Sequence, residues 1–362
     1  MSFASRKLFI GNIQKSNANL FLWGSGSNGK LGDGTITGKS SPVQIGSLSW
    51  TQVSNGNQHT QAIRSDGLLF AWGSGSSGRL GDGTIVNKSS PVQIGSLSWT
   101  QVVCGFSNSI AIRSDGLLFA WGENSVGQLG DGTTANKSSP VQIGSLSWTK
   151  IAVGYQHNLA IRSDGLLFAW GDGSNGKLGD GTITSKSSPV QIGSLSWTQV
   201  SCGYQYTLAI RSDGLLFSWG DNSSEQLGDG TTVNKSSPVQ IGSLSWTQVS
   251  CGWYHSMGIR SDGLLFAWGR GSNGELGDGT ITNKSSPIQI GSLSWTQVAC
   301  GYQYTTAIRS DGLLFAWGDG GSGRLGDGTI TGKSSPVQIG SLSWTQVASG
   351  VEHSAAIKFI AP

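Results

Sequence analysis

The sequence predicts an all-β protein, a seven-bladed β-propeller, and two observations carry this prediction. First, Trp recurs every 49 residues in two interleaved series, without a single insertion or deletion. Second, each interval holds four short apolar segments separated by turn signals, as in a four-stranded propeller blade. Because seven intervals span nearly all of the 362 residues, we expect one array rather than several domains. The two series are Trp23, Trp72, Trp121, Trp170, Trp219, Trp268 and Trp317, and Trp50, Trp99, Trp148, Trp197, Trp246, Trp295 and Trp344.

The repeat from Trp99 to Gly144 illustrates the four predicted strands, whose sequences are WTQVV, SIAIRS, LLFAWG and PVQI. Ser114, Asp115 and Gly116 join the second strand to the third, which is a tight hairpin signal. The first strand ends in small residues and a Gly, and this suits strands that converge on a central axis. No apolar period of 3.6 residues is present, and the recurrent Gly-Asp-Gly excludes a helical solenoid.

Each repeat also carries a set of motifs in a constant order. WG is followed by a Gly-rich stretch and LG, then by SP-V, then by V-x-x-G-x-x-H and IRSDG. This set, which covers essentially the whole chain, resembles the regulator of chromosome condensation repeat family. The resemblance implies a seven-bladed propeller, in agreement with the blade count from the Trp spacing. In the founding members nucleotide exchange resides partly in a wedge-like insertion from one blade. No repeat here carries an insertion, so guanine-nucleotide exchange is not expected.

The two ends of the array predict how the ring closes. The last copy stops at Ala356–Pro362, and the first begins at Asn19–Gly24, so the termini open one Ser-Asp-Gly hairpin. We expect one blade with two inner strands from the C-terminus and two outer strands from the N-terminus, latched by pairing of residues 353–359 with residues 20–23. Residues 14–362 would form the single propeller domain. Residues 1–13 lie outside the repeat and would be either a frayed arm or a docking arm for a larger assembly.

Differences between the seven copies are confined to the connection between strands one and two and the connection between strands three and four. Because blade strands are antiparallel, both connections fall on the same rim of the ring. The first connection contains every Tyr and every His of the chain, together with Trp253 and Phe106. Aromatic side chains among Ser, Asn, Gln and Gly are typical of recognition surfaces, although loop drift would also concentrate variation there. The predicted anchors are Tyr155, Tyr204, Tyr206, Trp253, Tyr254, Tyr302 and Tyr304, with His157, His255 and His353 as polar contacts.

No catalytic, cofactor or metal site is predicted. No copy carries a unique nucleophile, base and orienting group, or a carboxylate pair. The His residues occupy alternate blades across most of the ring, too far apart for one ion, and the family resemblance implies that they stabilise loops. The Asp of each LGDGT segment is interpreted as a turn former rather than a calcium ligand. The Arg before each SDG turn is expected to form a local ion pair, with an anionic partner as the alternative.

Composition narrows the range of partners. The net charge is +3 and the 23 Lys and Arg are evenly spread, so nucleic acid and chromatin are not expected to bind. No apolar stretch approaches a membrane span, and the N-terminus lacks the apolar region of a secretion signal. All four cysteines occupy one repeat position and are interpreted as small buried thiols rather than disulfides or metal ligands.

Together these patterns indicate a non-enzymatic module that binds a protein or a glycan through its variable face. A receptor-binding or host-interaction protein, including one on a phage particle, would combine this near-identical framework with variable loops. Free cysteines fit a protein that is synthesised in the cytoplasm and then assembled into a particle. They fit a protein that stays in the cytoplasm equally well. The alternative is a structural decoration or adaptor subunit that docks through its invariant face and its N-terminal arm.

Overall fold

The computed structural model describes residues 18–359, which form β-strands and four short 3-10 helices. The strands are β1 Ala18–Gly24, β2 Lys39–Gln44, β3 Trp50–Asn55, β4 His59–Arg64, β5 Leu68–Gly73, β6 Lys88–Cys104, β7 Asn108–Arg113, β8 Leu117–Gly122, β9 Lys137–Val153, β10 His157–Arg162, β11 Leu166–Gly171, β12 Lys186–Cys202, β13 Tyr206–Arg211, β14 Leu215–Gly220, β15 Lys235–Cys251, β16 His255–Arg260, β17 Leu264–Gly269, β18 Lys284–Cys300, β19 Tyr304–Arg309, β20 Leu313–Gly318, β21 Lys333–Ser343, β22 Gln346–Ser349 and β23 His353–Phe359. The 3-10 helices are Ser27–Gly29, Ser76–Gly78, Ser174–Gly176 and Gly321–Gly323.

These strands form seven four-stranded antiparallel blades around a central channel, which confirms the predicted fold class. Blade 1 consists of β3, β4, β5 and the first half of β6, and blades 2 to 6 continue in the same way. Within blade 4, for example, Tyr206 pairs with Gly220 and Ile210 with Leu216 across the hairpin of β13 and β14. The strand that begins each blade is the innermost, because its C-terminal end lines the channel.

The connection from one blade to the next differs from the expected turn. Five strands, such as β12, run for 17 residues and belong to two blades in succession. Along β12 the partner of Phe168 is Gln191, whereas the partner of Leu166 is Ser196, so the intervening residues bulge out of the pairing. Gly193 provides the φ of +62° that this bulge requires, and the Gln191 amide donates a hydrogen bond of 2.7 Å to the carbonyl of Gly193.

Blade 7 closes the ring with strands from both ends of the described chain. Its strand order is β2-β1-β23-β22, and β1 pairs with β23 from Ala18 opposite Phe359 to Gly24 opposite His353. The predicted closure is therefore confirmed. The predicted N-terminal arm, residues 1–13, lies outside the described residues and stays a prediction.

The two Trp series have separate packing roles. Trp219 of the first series is completely buried, and its indole N–H donates a hydrogen bond of 3.0 Å to the carbonyl of Lys177 in the preceding blade. Each Trp of this series makes the equivalent bond. Trp197 of the second series packs edge-on against Phe217, with ring centroids 5.3 Å apart. The first series therefore ties neighbouring blades together by hydrogen bonds, and the second packs in the apolar core between adjacent blades.

The rim that carries the SDG turns is uniform. Arg211 and Asp213 form an ion pair at 2.5 Å, and the guanidinium lies 5.0 Å from the ring centroid of Phe217. Five other blades repeat this arrangement, which confirms the predicted local pairs. On the opposite rim, the LGDGT carboxylate of Asp229 accepts a hydrogen bond of 3.0 Å from the backbone N–H of Thr231. The interpretation of this Asp as a turn former is likewise confirmed.

Candidate functional site

The short connection between the first and second strands of each blade has a repeated geometry. It follows a Gly, and its three residues have different environments. A Cβ on Gly203 would lie 2.1 Å from Cε1 of Tyr206 and 2.7 Å from the carbonyl oxygen of Gly252, so only glycine fits. This close approach lets the third residue turn under the loop, while the first residue faces the channel.

The first residues of the seven connections form a ring at one mouth of the channel, here called the mouth ring. All are half-buried, and the cavity that they border has a volume of about 130 Å³. Five consecutive blades, 2 to 6, contribute an aromatic residue. The mouth ring consists of Asn57, Phe106, Tyr155, Tyr204, Trp253, Tyr302 and Val351.

The five aromatic side chains of the mouth ring contact one another in sequence. Centroid distances are 4.6 Å for Phe106 and Tyr155 and 4.6 Å for Tyr155 and Tyr204. Trp253 stacks on Tyr204 at 4.5 Å and meets Tyr302 edge-on at 4.1 Å. Trp253 also lies 6.1 Å from Phe106, three blades away, so the indole extends across the channel axis. The result is one continuous aromatic surface.

The third residues of the connections form a separate set, here called the interblade layer. In contrast to the mouth ring, every member is buried. The layer consists of His59, Asn108, His157, Tyr206, His255, Tyr304 and His353.

Five of the ten predicted ligand contacts are members of the interblade layer, and the structure corrects them. Tyr206, Tyr304, His157, His255 and His353 are at most 1% exposed, so they cannot touch a ligand at the mouth. They begin the second strand of each blade, where the side chain is directed into the packing between blades. The other five, Tyr155, Tyr204, Trp253, Tyr254 and Tyr302, are half-buried and cluster at the mouth.

Each His of this layer binds the next blade. Nε2 of His157 lies 3.2 Å from the hydroxyl of Thr207, and Nε2 of His353 lies 2.8 Å from the hydroxyl of Thr60 across the closure. Burial lowers the pKa of His157 and of His255 to about 3, so both imidazoles are neutral. The family-based expectation that these residues stabilise the loops agrees with this geometry.

The two buried tyrosines take the place of His and reach further. The Tyr304 hydroxyl donates a hydrogen bond of 2.7 Å to the carbonyl of His353 and accepts one of 3.0 Å from Ser354. Tyr206 makes the corresponding bonds with His255 and Ser256. Tyr and His therefore serve the same structural purpose at this position.

The second variable segment, between the third and fourth strands, lies beside the mouth, and several of its charged side chains pair with one another. In blade 3 the buried Lys177 pairs with Asp172 of the same loop. In blade 5 the charges are exchanged, and Arg270 pairs with Glu275 at 3.0 Å. Arg270 also lies 5.2 Å from the ring centroid of Tyr254, the second residue of its connection. Much of the variation in this segment consequently preserves internal pairs.

Beneath the mouth ring, four cysteines line the channel wall. Cys104, Cys202, Cys251 and Cys300 are free thiols, and all but the half-buried Cys202 are buried. Burial raises the pKa of Cys104 and of Cys251 to about 12, so these thiols are protonated and unreactive at neutral pH. Within residues 18–359 no group of three or more His, Cys, Asp or Glu side chains is arranged to hold a metal ion.

The mouth ring itself was only partly recognisable from the sequence. Phe106, Asn57 and Val351 belong to it but were not among the predicted contacts. The signal that identifies them is their position, since each directly follows the Gly that ends the channel-lining strand.

Among the described helices, none is long and apolar enough to cross a membrane.

Seven blades with these loop and hairpin motifs define a β-propeller of the regulator of chromosome condensation type. The family model of the RCC1-like domain matches residues 19–356. The chain therefore belongs to the RCC1-like domain family. No curated protein sequence matches it significantly.

Solved structures share the fold at low identity. Human WBSCR16 is 22% identical with a TM-score of 0.87, over 94% of this chain and 99% of that one. Yeast RCC1 (Prp20) bound to Kap60 is 20% identical with a TM-score of 0.87, over 96% and 90% of the two chains. Prp20p from Saccharomyces cerevisiae, solved in work on its binding to Gsp1p and histones, is 21% identical with a TM-score of 0.85, over 96% and 93%.

Proposed function

We propose that this protein is a non-enzymatic binding module that recognises a protein partner through the mouth ring, with Tyr254 at its edge. The observation that carries the proposal is the placement of an aromatic residue at the same loop position in five consecutive blades. In a fold whose framework is nearly identical in every copy, this position combines sequence variation with partial exposure. Rigid aromatic surfaces of this kind supply much of the binding energy in protein interfaces.

Related propellers support a protein partner. Yeast RCC1 (Prp20) was solved in complex with Kap60, and Prp20p was described together with its binding to Gsp1p and histones. A receptor-binding protein, including one carried on a phage particle, would use such a surface in this way. A glycan is the other ligand that stacks on aromatic platforms, and the test below includes it.

The test is selection of random short peptides on the purified protein, in parallel with a glycan array. The triple variant Tyr204→Ala, Trp253→Ala, Tyr302→Ala removes the centre of the mouth ring. We expect selected peptides to lose at least about 30-fold in affinity for this variant, the effect of one hot-spot residue of about 2 kcal/mol. Isothermal titration calorimetry measures the change.

The matched control removes exposed apolar side chains from the outer part of the same rim. Ile183, Ile281 and Ile330 are 67–72% exposed, and their replacement by Ala should leave affinity unchanged. Peptides that bind the mouth-ring variant as tightly as the parent protein would contradict the proposal. Binding confined to the glycan array would replace the protein partner with a carbohydrate.

A further inference from the structure

The mouth ring is not symmetric in chemistry. Blades 2 to 6 contribute aromatic side chains, whereas blades 1 and 7 contribute Asn57 and Val351. The mouth-ring residues of blades 2 to 6 are here called the aromatic sector, and a partner that binds through aromatic contacts would bind there.

Carboxylates without a cationic partner flank the same sector. Glu123 and Asp221 open the loops between the third and fourth strands in blades 2 and 4. Glu123 accepts a hydrogen bond of 3.0 Å from Ser125, and Asp221 accepts one of 2.7 Å from Gln226. Neither forms an ion pair with any described Lys, Arg or His. Asp221 is only 9% exposed, so its carboxylate is poorly hydrated.

The neighbouring cations are already engaged. Lys177 is fully buried and paired with Asp172. Arg79 is 8% exposed and donates hydrogen bonds to the carbonyls of Ser76 at 3.0 Å and Phe106 at 3.4 Å. Arg79 and Lys177 interact electrostatically with Glu123 and Asp221, respectively, but neither forms an ion pair with that carboxylate.

The opposite side of the mouth differs. There, in blade 7, Glu352 pairs with the buried Lys30 at 3.0 Å. Within the aromatic sector, blade 6 also has an internal pair, since Asp319 lies 3.3 Å from Arg324. Glu123 and Asp221, the two carboxylates described above that form no ion pair, both belong to blades of the aromatic sector.

The carboxylates also affect the ionisation of the tyrosine hydroxyls at the mouth. Burial raises the pKa of Tyr155, and the nearby Tyr204 and Glu123 raise it further. Burial likewise raises the pKa of Tyr254, with Asp221 among the groups that add to the effect. The carboxylates and the tyrosine hydroxyls are thus close enough to share one electrostatic environment.

Aromatic faces beside carboxylates that form no ion pair favour a cation. A guanidinium or ammonium group is attracted by the ring face and by the carboxylate together. The rim already shows one such contact, since Arg270 lies 5.2 Å from the ring centroid of Tyr254. Arg suits the site better than Lys because its planar guanidinium stacks on rings and is less strongly hydrated.

We propose that the partner places an Arg side chain of a basic protein segment on the aromatic sector, against the rings of Tyr155, Tyr204 and Trp253, with Glu123 and Asp221 as nearby counter-charges. This inference rests on the proposed function and specifies the chemistry of the partner.

The test uses a fluorescein-labelled peptide of alternating Gly and Arg and a matched peptide of alternating Gly and citrulline. Citrulline keeps the shape of Arg and removes its charge. Fluorescence polarisation should show binding of the Arg peptide and at least about tenfold weaker binding of the citrulline peptide, because the ring and carboxylate contacts depend on the charge. The double variant Glu123→Gln, Asp221→Asn should weaken Arg-peptide binding by about tenfold.

The control variant Asp115→Asn, Asp213→Asn makes the same change in net charge on the opposite rim and should bind like the parent protein. Circular dichroism must show both double variants folded. Equal binding of the Arg and citrulline peptides would overturn the inference, and so would equal weakening by the two double variants. If selected peptides bind at the mouth ring but contain no basic residues, this inference fails while the proposed function stands. If no peptide depends on the mouth ring, the proposed function fails as well.

Discussion

The mouth ring and the interblade layer come from the same short loops, two residues apart, yet their side chains lie in different environments. The first residue of the loop in blade 4, Tyr204, is half-buried and stacks on Trp253. The third, Tyr206, is completely buried and hydrogen-bonds to the backbone of blade 5. Both positions vary between copies. Variation in this repeat therefore falls on two kinds of position, a half-buried ring at the channel mouth and a buried joint between blades that accepts His, Asn or Tyr.

The largest expected effect comes from cutting the joint that closes the ring. Removal of residues 348–362 deletes β23 and with it His353, which binds Thr60 of blade 1. We expect the cooperative unfolding transition in urea to disappear, because β1 and β2 lose the strand that holds them in blade 7. Tryptophan fluorescence and circular dichroism measure this. An unchanged urea transition would show that the fold does not depend on closure of the ring. If the transition is lost, a synthetic peptide of residues 348–362 should restore it.

The two neighbouring tyrosines of blade 4 allow the stability contributions of the mouth ring and the interblade layer to be measured separately. Tyr206→Ala should lower the free energy of unfolding by about 3–5 kcal/mol, since it leaves a large cavity and removes buried hydrogen bonds. Tyr204→Ala should cost about 1 kcal/mol, the worth of an aromatic pair at the surface, while weakening ligand binding. Urea titration of both variants gives the values. Equal losses of stability would mean that the mouth ring is part of the fold rather than a separate surface.

Acid provides a finer test of the interblade layer. The pKa of His157 is lowered from 6.5 to about 3 by burial, so between these values the unfolded chain binds a proton that the native protein does not. Stability is therefore lost as pH falls from 6.5 towards 3, by about 1.4 kcal/mol per pH unit for this residue. The variant His157→Gln should show a pH slope smaller by that amount in urea titrations across the range. A slope equal to that of the parent protein would contradict the neutral, buried imidazole.

The fold could be predicted from the sequence because the strand and turn pattern of one blade recurs in all the others with a period of 49 residues. The closure followed from Ala356 and Asn19, since the last copy ends where the first begins. The residues of the mouth ring were harder to predict, because the first and third loop residues share a composition. Tyr204 and Tyr206 cannot be told apart by residue type. Only the close approach of Gly203 to the ring of Tyr206 decides which one turns inward.

The carboxylates that form no ion pair were not singled out from the sequence. Asp172 and Asp221 stand at equivalent positions in blades 3 and 4, and both look like ordinary loop acids. They differ because residue 177 is a Lys that pairs with Asp172, whereas residue 226 is a Gln that only donates a hydrogen bond to Asp221. That distinction depends on contacts across a loop.

The pairing of Ala18 with Phe359 has a practical consequence for handling the protein. These residues occupy the place of a Ser-Asp-Gly turn, on the rim opposite the mouth ring. The start of β1 and the end of β23 therefore lie on the rim opposite the aromatic sector, which favours attachment of a tether at that rim. Joining residue 359 to residue 18 by a turn like those of the other blades would produce a circular permutant, whose new ends can be opened at any of the six remaining hairpins.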